Sequence, residues 1–475
     1  MNDSMHKLRE TTTLIARHPN WQWQDFIARA WQIAAQLRQD NVCTVAFWFE
    51  DAALFACTML ACFHAGVRIL LPPNLLEENQ QWIAENADFL FDDPQFAHYG
   101  VTQKHPENPP HFACHAQTEI WLKTSGSSGQ PKILVKTAAQ MWLEADAIRQ
   151  SLPFSTGNHI HLVSSVSAQH HYGLSYRIML PLTMGWTIAR RQLPYPEHLI
   201  EESLSAPSVV WISSPALLTR LNLNAPKLAQ CPFAGIISSG GVLPVDVGNA
   251  IRKQLQTHVI ECYGSTETGA IAFREDDGLW QPTPLTQVGL NEEGALWVES
   301  AWLNQREQTA DAAELANGKF NLLGRIDRIV KFGDKRISLV KIEQDLLRHP
   351  WLVDCYVAQH PKHARPAAWV ALNTDGIQAY KTLGRNELVN RLRHFLMQSQ
   401  ENSALPRFWR FTDELPRNSQ SKIGKRDFEQ VFLTQKRNIS HESGHRHYSS
   451  LQPLGHYRQC GRTIACARIT GADCR

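Results

Sequence analysis

Between residues 21 and 262, short apolar runs bounded by glycine or proline alternate with stretches whose apolar residues recur at helical spacing. Repeated helix–strand alternation leaves few architectures beyond sheets flanked by helices. Residues 21–37 place apolar side chains at helical spacing after an aromatic entry, and residues 45–49, Val-Ala-Phe-Trp-Phe, read as a buried strand. Residues 52–65 are apolar almost throughout and stop at Gly66, and residues 67–71, β-branched or apolar apart from Arg68, are ended by Pro72-Pro73. These are a second helix and a second strand. Further strands are expected at residues 133–135, 160–163, 209–212, 235–238 and 258–262.

After about residue 290 the pattern changes to short alternating segments, such as Gly294-Ala-Leu-Trp-Val-Glu and Lys319-Phe-Asn-Leu-Leu-Gly, which suit antiparallel strands. A strand at 329–332, a helix at 340–348, strands at 354–357 and 367–371, and a helix at 385–398 then make a compact α+β unit. The expected fold class is α/β and α+β. A large N-terminal domain, residues 1–325, carries α/β sheets plus a small β-rich subdomain, and a small mobile α+β domain, residues 326–435, follows it. Residues 436–475 hold Cys460, Cys466 and Cys474, four histidines (His441, His445, His447, His456) and many arginines, without hydrophobic periodicity or a standard zinc spacing. They read as a disordered tail to which no function is assigned.

A net charge of +2 with 19% charged residues gives no strong field, so nucleic acid and anionic membrane surfaces are not favoured partners. Ten cysteines are scattered without C-x-x-C pairs, the first residues are polar, and no run of 18 apolar residues occurs. A cytoplasmic protein with reduced thiols and no integral membrane segment is expected.

The chemistry is concentrated in a few strings. Thr124-Ser-Gly-Ser-Ser-Gly-Gln-Pro-Lys132 gathers hydroxyls, two glycines and a lysine ahead of an apolar run. Glycines let backbone N–H groups turn inward around an anion, hydroxyls add donors, and a lysine supplies charge. A Walker A loop would need G-x-x-x-x-G-K-[ST], whereas Gly126 and Gly129 are closer together and Pro131 precedes Lys132. This is a phosphate loop of another class. Ser239-Gly-Gly-Val and Glu261-Cys-Tyr-Gly-Ser-Thr-Glu-Thr-Gly269 follow, offering an aromatic face for a base, a hydroxyl for a phosphate and Glu267 as a hard oxygen ligand for Mg²⁺. Thr309-Ala-Asp311 and Gly324-Arg-Ile-Asp-Arg328 could accept from and donate to ribose hydroxyls through Asp311 and Arg325. Leu415-Pro-Arg-Asn-Ser-Gln-Ser-Lys-Ile-Gly-Lys425 is a proline-entered polar loop carrying Lys422. Alone, the Asp311 and Arg325 strings are common surface turns, and the Lys422 string is an ordinary exposed basic loop.

In order and together they resemble the adenylate-forming superfamily of acyl-CoA synthetases, adenylation domains and luciferases, over about residues 20–432. The likeness is to short bacterial acyl- or aryl-CoA, or acyl-carrier-protein, ligases. The family's phosphate loop, [ST]-[SG]-G-[ST]-[ST]-G-x-P-K, is met throughout by Thr124 to Lys132, and its Y-G-x-T-E string by Tyr263 to Glu267. Its T-G-D, G-R-x-D-x-x-x-K and P-R-x-x-x-G-K strings appear with two departures, Ala310 and Ser421 each replacing a glycine.

The resemblance implies that Gly240, Gly241 and Tyr263 sandwich the adenine of ATP, Thr266 meets the α-phosphate, and Glu267 binds Mg²⁺. It implies that Asp311 and Arg325 hold the ribose, and that Thr124, Ser125, Gly126, Ser127, Ser128, Gly129 and Lys132 form the phosphate cradle. Lys422 would reach in from the small domain to the acyl-phosphate bridge, and rotation about Asp327 would exchange it for the face near Gly333. Gln169-His-His-Tyr-Gly-Leu174 resembles the family's H-x-[aromatic]-[GA] segment, placing His170 where substrate and thiol access is gated; His171 is the weaker candidate. Trp211 to Ser214 and Ser238 are expected to line the acid pocket.

The implied reaction is ATP-dependent activation of a fatty or aromatic carboxylic acid as acyl-AMP, then transfer to the thiol of CoA or of a carrier-protein phosphopantetheine, as in fatty acid metabolism. An amino-acid adenylation enzyme needs a carboxylate for the substrate ammonium, and Ser167-Ala-Gln-His170 has none. A non-catalytic nucleotide-binding scaffold is the reading from a different class, opposed by the presence of Lys132, Glu267, Asp311, Arg325 and Lys422 together.

Overall fold

The computed structural model describes residues 13–104, 114–124, 132–157, 159–276, 278–332, 335–363, 365–402, 404–417 and 423–433. The tail, residues 436–475, therefore lies outside the described residues, as do Ser125, Gly126, Ser127, Ser128, Gly129, Gly333 and Lys422.

Two sheets dominate. The first runs Phe89–Asp92, Thr44–Trp48, Arg68–Leu71, Glu119–Thr124, Lys132–Thr137, with every pair parallel except the last. The second has nine strands in the order Gln281–Pro282, Gly269–Arg274, His258–Ser265, Phe233–Ser238, Val209–Ser213, His161–Ser164, Thr187–Ile188, Leu14–Ala16, Trp21–Gln22. Its middle is parallel, and antiparallel strands close both ends. The expected helix at 21–37 begins at Trp23, because Trp21–Gln22 is spent on the edge of this sheet.

The helix Ala52–Ala65 has no polar face because it has no solvent face. Asp51 caps it by accepting from the N–H groups of Ala53 and Leu54, and Gly66 ends it in the left-handed region at φ 76°. One continuous core surrounds it, joining Phe47 and Ile69 of the first sheet to Ile188 of the second and to Leu174 and Ile178. The last two lie in a π-helical turn, Leu174–Met179, directly after the His170–Gly173 segment. π-turns are uncommon and concentrate at functional sites.

The expected β-rich subdomain is a four-stranded antiparallel sheet, Thr286–Leu290, Ala295–Ser300, Glu307–Ala316, Lys319–Arg325. Main-chain hydrogen bonds in both directions between Trp280 and Phe320, 2.8 and 3.1 Å, stitch it to the edge of the nine-stranded sheet. Beyond it, residues 330–432 have cores of their own, built on Leu352–Gln359, Pro366–Leu372 and Phe408–Thr412 and on the helices Leu339–Leu347 and Lys425–Leu433. The helix expected at 385–398 is the second part of Thr374–Leu396, which breaks at Gly384 with φ 75° and ψ 164°. Among the described residues no helix is long and apolar enough to cross a membrane.

Candidate active site

The strand His258–Ser265 turns back as Gly269–Arg274, and the turn between them carries Thr266 and Glu267. The register slips at Tyr263–Gly264, where the pair closes so tightly that a Cβ on Gly264 would stand 2.0 Å from the carbonyl oxygen of Gly269. Only glycine fits there, so the Y-G string has a steric reason. Crossed hydrogen bonds tie the turn itself. Ser265 N–H donates to Thr268 Oγ1 at 3.0 Å, and Thr268 N–H donates to Ser265 Oγ at 3.1 Å.

Tyr263 packs its ring against Trp280 and Phe320, centroids 5.6 and 5.8 Å away, and donates its hydroxyl to Asp311 Oδ2 at 2.5 Å. Burial, then the charge and hydrogen bond of Asp311, push the phenol well above the ordinary tyrosine range, so it stays a donor. Asp311 and Arg325 are register partners on neighbouring strands. The stitched sheets thus bring Tyr263, Asp311 and Arg325 together from three strands.

Ser239-Gly240-Gly241 leaves the end of Phe233–Ser238 beside Tyr263. Gly240 has φ +84°, and a Cβ there would meet no atom within 4 Å. That open space suits an approaching planar ligand. Ser239 Oγ donates to the Cys262 carbonyl at 2.9 Å, and Leu243 N–H donates to Glu261 Oε2 at 3.1 Å. Glu261 is held in turn by Arg274, whose Nε and a terminal NH₂ donate to its two carboxylate oxygens at 2.9 and 3.1 Å. This buried fork fixes the glycine turn to the strand of Tyr263.

Glu267 is half-buried, and among the described residues its carboxylate has no hydrogen-bond or ion-pair partner. No group of three or more His, Cys, Asp or Glu side chains among them could hold a metal by itself. One uncommitted carboxylate fits Mg²⁺, which is commonly bound by one or two carboxylates together with substrate phosphates.

Thr124 and Lys132 are register partners at the mouth of the phosphate loop, with Thr124 Oγ1 donating to the Lys132 carbonyl at 3.2 Å. Lys132 is exposed. Four residues along the same strand, Lys136 is buried and its Nζ donates to the main-chain carbonyl of Glu267 at 2.8 Å. Glu144, on the following helix Ala138–Ser151, is buried too. Its Oε1 accepts from Ala270 N–H at 3.1 Å, Ser175 Oγ at 3.0 Å and His171 Nε2 at 3.1 Å. Burial pushes the Glu144 carboxyl up, but His171, Lys136 and the Ala270 N–H outweigh it and leave it below the usual carboxylate range. Neither residue stands out in the sequence. Glu144 sits in an ordinary amphipathic stretch, and a lysine at a strand end reads as solvated.

His170 is half-buried at the start of the π-turn segment, and burial holds its imidazole below the ordinary value. Its neighbour His171 is bonded to Glu144, so the two adjacent histidines have separate surroundings. A Cβ on Gly173 would lie 1.8 Å from the Ser167 carbonyl oxygen, which accounts for the glycine in this string. Trp211 belongs to the core rather than to a pocket wall, since it is fully buried and its indole donates to Ser203 Oγ at 2.7 Å. Ser213 and Ser238 end adjacent parallel strands in register. Ligands of open α/β sheets bind at such carboxyl ends.

Residues 107–294 match the family model described as AMP-binding enzyme. The chain is 25% identical over 310 residues to 4-coumarate–CoA ligase of Halorhodospira halophila, covering 64% of this chain and 74% of that one. It is 24% identical over 387 residues to 2-succinylbenzoate–CoA ligase of Escherichia coli strain K12, covering 73% and 81%. The anthranilate CoA ligase AuaEII, solved with anthranoyl-AMP, superposes with a TM-score of 0.74 at 15% identity, over 91% of this chain and 96% of that one. The chain has the adenylate-forming fold. The matched stretch, residues 107–294, includes Thr124 to Lys132, His170, the glycine turn and Glu267, while Asp311 and Arg325 follow it in the four-stranded sheet.

Proposed function

We propose that this chain activates a fatty or aromatic carboxylic acid with ATP and transfers the acyl group to the thiol of CoA or of a carrier-protein phosphopantetheine. The convergence of Tyr263, Asp311 and Arg325 beside the Gly240–Gly241 turn carries this reading, because it offers one face for adenine and a paired acceptor and donor for ribose. A carboxylate oxygen attacks the α-phosphorus of ATP, the bond to pyrophosphate breaks, and an acyl-AMP mixed anhydride forms. No protein nucleophile is needed. Thr266 would meet the α-phosphate, and the loop from Thr124 to Lys132 the departing pyrophosphate. Bound at Glu267, Mg²⁺ would offset phosphate charge. In the second half the thiol sulfur bonds to the acyl carbon, the thiol proton is released, and AMP departs.

Residues 326–435 are proposed as a mobile domain that presents Lys422 for adenylation and, after rotation about Asp327, the face near Gly333 for thiol transfer. His170 is proposed to gate the acid and thiol. The free cysteines among the described residues, from Cys43 to Cys355, agree with a cytoplasmic location. An amino acid substrate is disfavoured, since the carboxylate beside His171, Glu144, is already committed to Ser175, His171 and Ala270.

The test is ATP–pyrophosphate exchange, with hydroxylamine trapping of the adenylate, over a panel of short, long and aryl acids. CoA and holo-carrier protein are then offered to the productive acid. Exchange with at least one acid is expected; none with any acid would support a nucleotide-binding scaffold instead.

A further inference from the structure

The strand Lys132–Thr137 is inverted for its composition. Ile133 and Val135 are 43% and 44% exposed, whereas Lys136 is 5% exposed. Taking a lysine ammonium out of water is unfavourable unless partners replace the solvent, and leaving isoleucine and valine outside forgoes burial. Rule-breaking of this kind concentrates where function imposes it. The carboxylates whose charge acts on Lys136 are those of Glu144, Glu307 and Glu267.

Lys136 and Glu144 grip the same turn at two points. Lys136 holds the carbonyl of Glu267, and Glu144 holds the N–H of Ala270. Trp302 adds a third hold by donating its indole N–H to the Thr268 carbonyl at 2.9 Å. The grip leaves no slack, because a Cβ on Gly269 would stand 2.7 Å from the Trp302 indole nitrogen and 2.9 Å from the Glu144 carboxyl carbon. Lys136 directly precedes Thr137, whose capping box with Gln140 starts the helix that carries Glu144. One strand–helix corner therefore reaches from Lys132 to the Glu267 turn, and through His171 to the segment of His170.

We propose that Lys136 and Glu144 are positioning residues of the adenylation site, which lock the strand Lys132–Thr137, the Glu267 turn and the His170 segment into one register. This rests on the reading of Glu267 and of the Thr124–Lys132 loop given above. Lys136 acts through the backbone of Glu267, and Glu144 through Ala270 and His171.

Lys136→Met, Lys136→Arg, Glu144→Gln and the Lys136→Met/Glu144→Gln pair are compared with the unaltered protein in pyrophosphate exchange and, without nucleotide, in amide hydrogen exchange. Lys136→Met is expected to raise KM for ATP about tenfold, leave KM for the acid within about twofold, and speed exchange at residues 266–270 while strands 209–213 and 233–238 stay protected. Lys136→Arg should restore part of the ATP effect, and the pair should lose less than the product of the single losses. Unchanged exchange at 266–270 overturns the proposal. So does an equal rise in both KM values with faster exchange throughout, which marks a merely structural lysine. If the unaltered protein activates no acid, the functional reading fails, and hydrogen exchange still decides whether Lys136 tethers the turn.

Discussion

Tyr263 and Asp311, 48 residues apart, meet in a 2.5 Å hydrogen bond from phenol to carboxylate that closes the seam between the nine-stranded and four-stranded sheets. Because the phenol is held protonated, Asp311 keeps one oxygen bonded and a fixed orientation toward the proposed ribose. Tyr263→Phe retains the ring and loses only the donor. A hydrogen bond to a charged group contributes about 1.5–3 kcal/mol, so kcat/KM for ATP should fall roughly 10- to 100-fold with KM for the acid little changed. Steady-state kinetics with ATP varied at saturating acid checks this, and an unchanged value would remove Asp311 from nucleotide binding.

Stability should fall on mild acidification. His161 is fully buried between Thr187 and Glu202, and burial holds its imidazole below the usual 6.5 despite the opposing pull of Glu202. Burial also acts first on His170, His349 and His360, in the same direction. With folded values depressed, the unfolded chain binds protons first as pH drops through about 6.5, so folding stability declines there. The Glu202 carboxyl, lowered chiefly by its hydrogen bond from His161, withdraws further stability as pH falls below its usual 4.5. Urea midpoints from pH 8 to 5 should decrease monotonically. A midpoint that rises between pH 7 and 5.5 would contradict the burial of these histidines.

Local signals made much of this legible from sequence. The stop at Gly66 and the two-residue period of residues 294–299 each name a backbone conformation that reappears in the structure, whereas Tyr263-Gly264 lies inside the strand His258–Ser265, at a slip in its register. Asp311 and Arg325 could be named individually, but their register pairing depends on the intervening hairpin. Lys136 and Glu144 were not legible, since a charge is read as solvated until its partners are known, and those partners lie at Glu267, His171 and Ala270. The strand Phe408–Thr412 was missed for a similar reason. It is a short edge strand, and its parallel pairing with Pro366–Leu372 leaves no alternation to detect.

The Glu261–Arg274 fork supports the glycine turn and predicts a large loss when halved. Both side chains are mostly buried, and Arg274 also lies over the Trp280 ring at 4.5 Å. Arg274→Met would leave the Glu261 carboxylate buried without its partner, which costs about 3–5 kcal/mol. Pairing it with Glu261→Gln should recover part of the loss. Urea unfolding of the two single variants and the pair measures the coupling. Additive losses would mean that the fork does not act as a unit.

A variant of Lys422 tests whether the two halves of the proposed reaction use different parts of the chain. On the proposed rotation, Lys422 would meet the pentacovalent phosphorus and the incoming carboxylate only during adenylation, and would have no part once the anhydride exists. Lys422→Ala should therefore lower pyrophosphate exchange by orders of magnitude, while thioester formation from a supplied acyl-adenylate stays within a few-fold of the unaltered enzyme. Single-turnover measurement of each half, with the acid that passes the exchange assay, distinguishes the cases. Equal loss in both halves would place Lys422 in a site shared by the two steps and defeat the domain rotation.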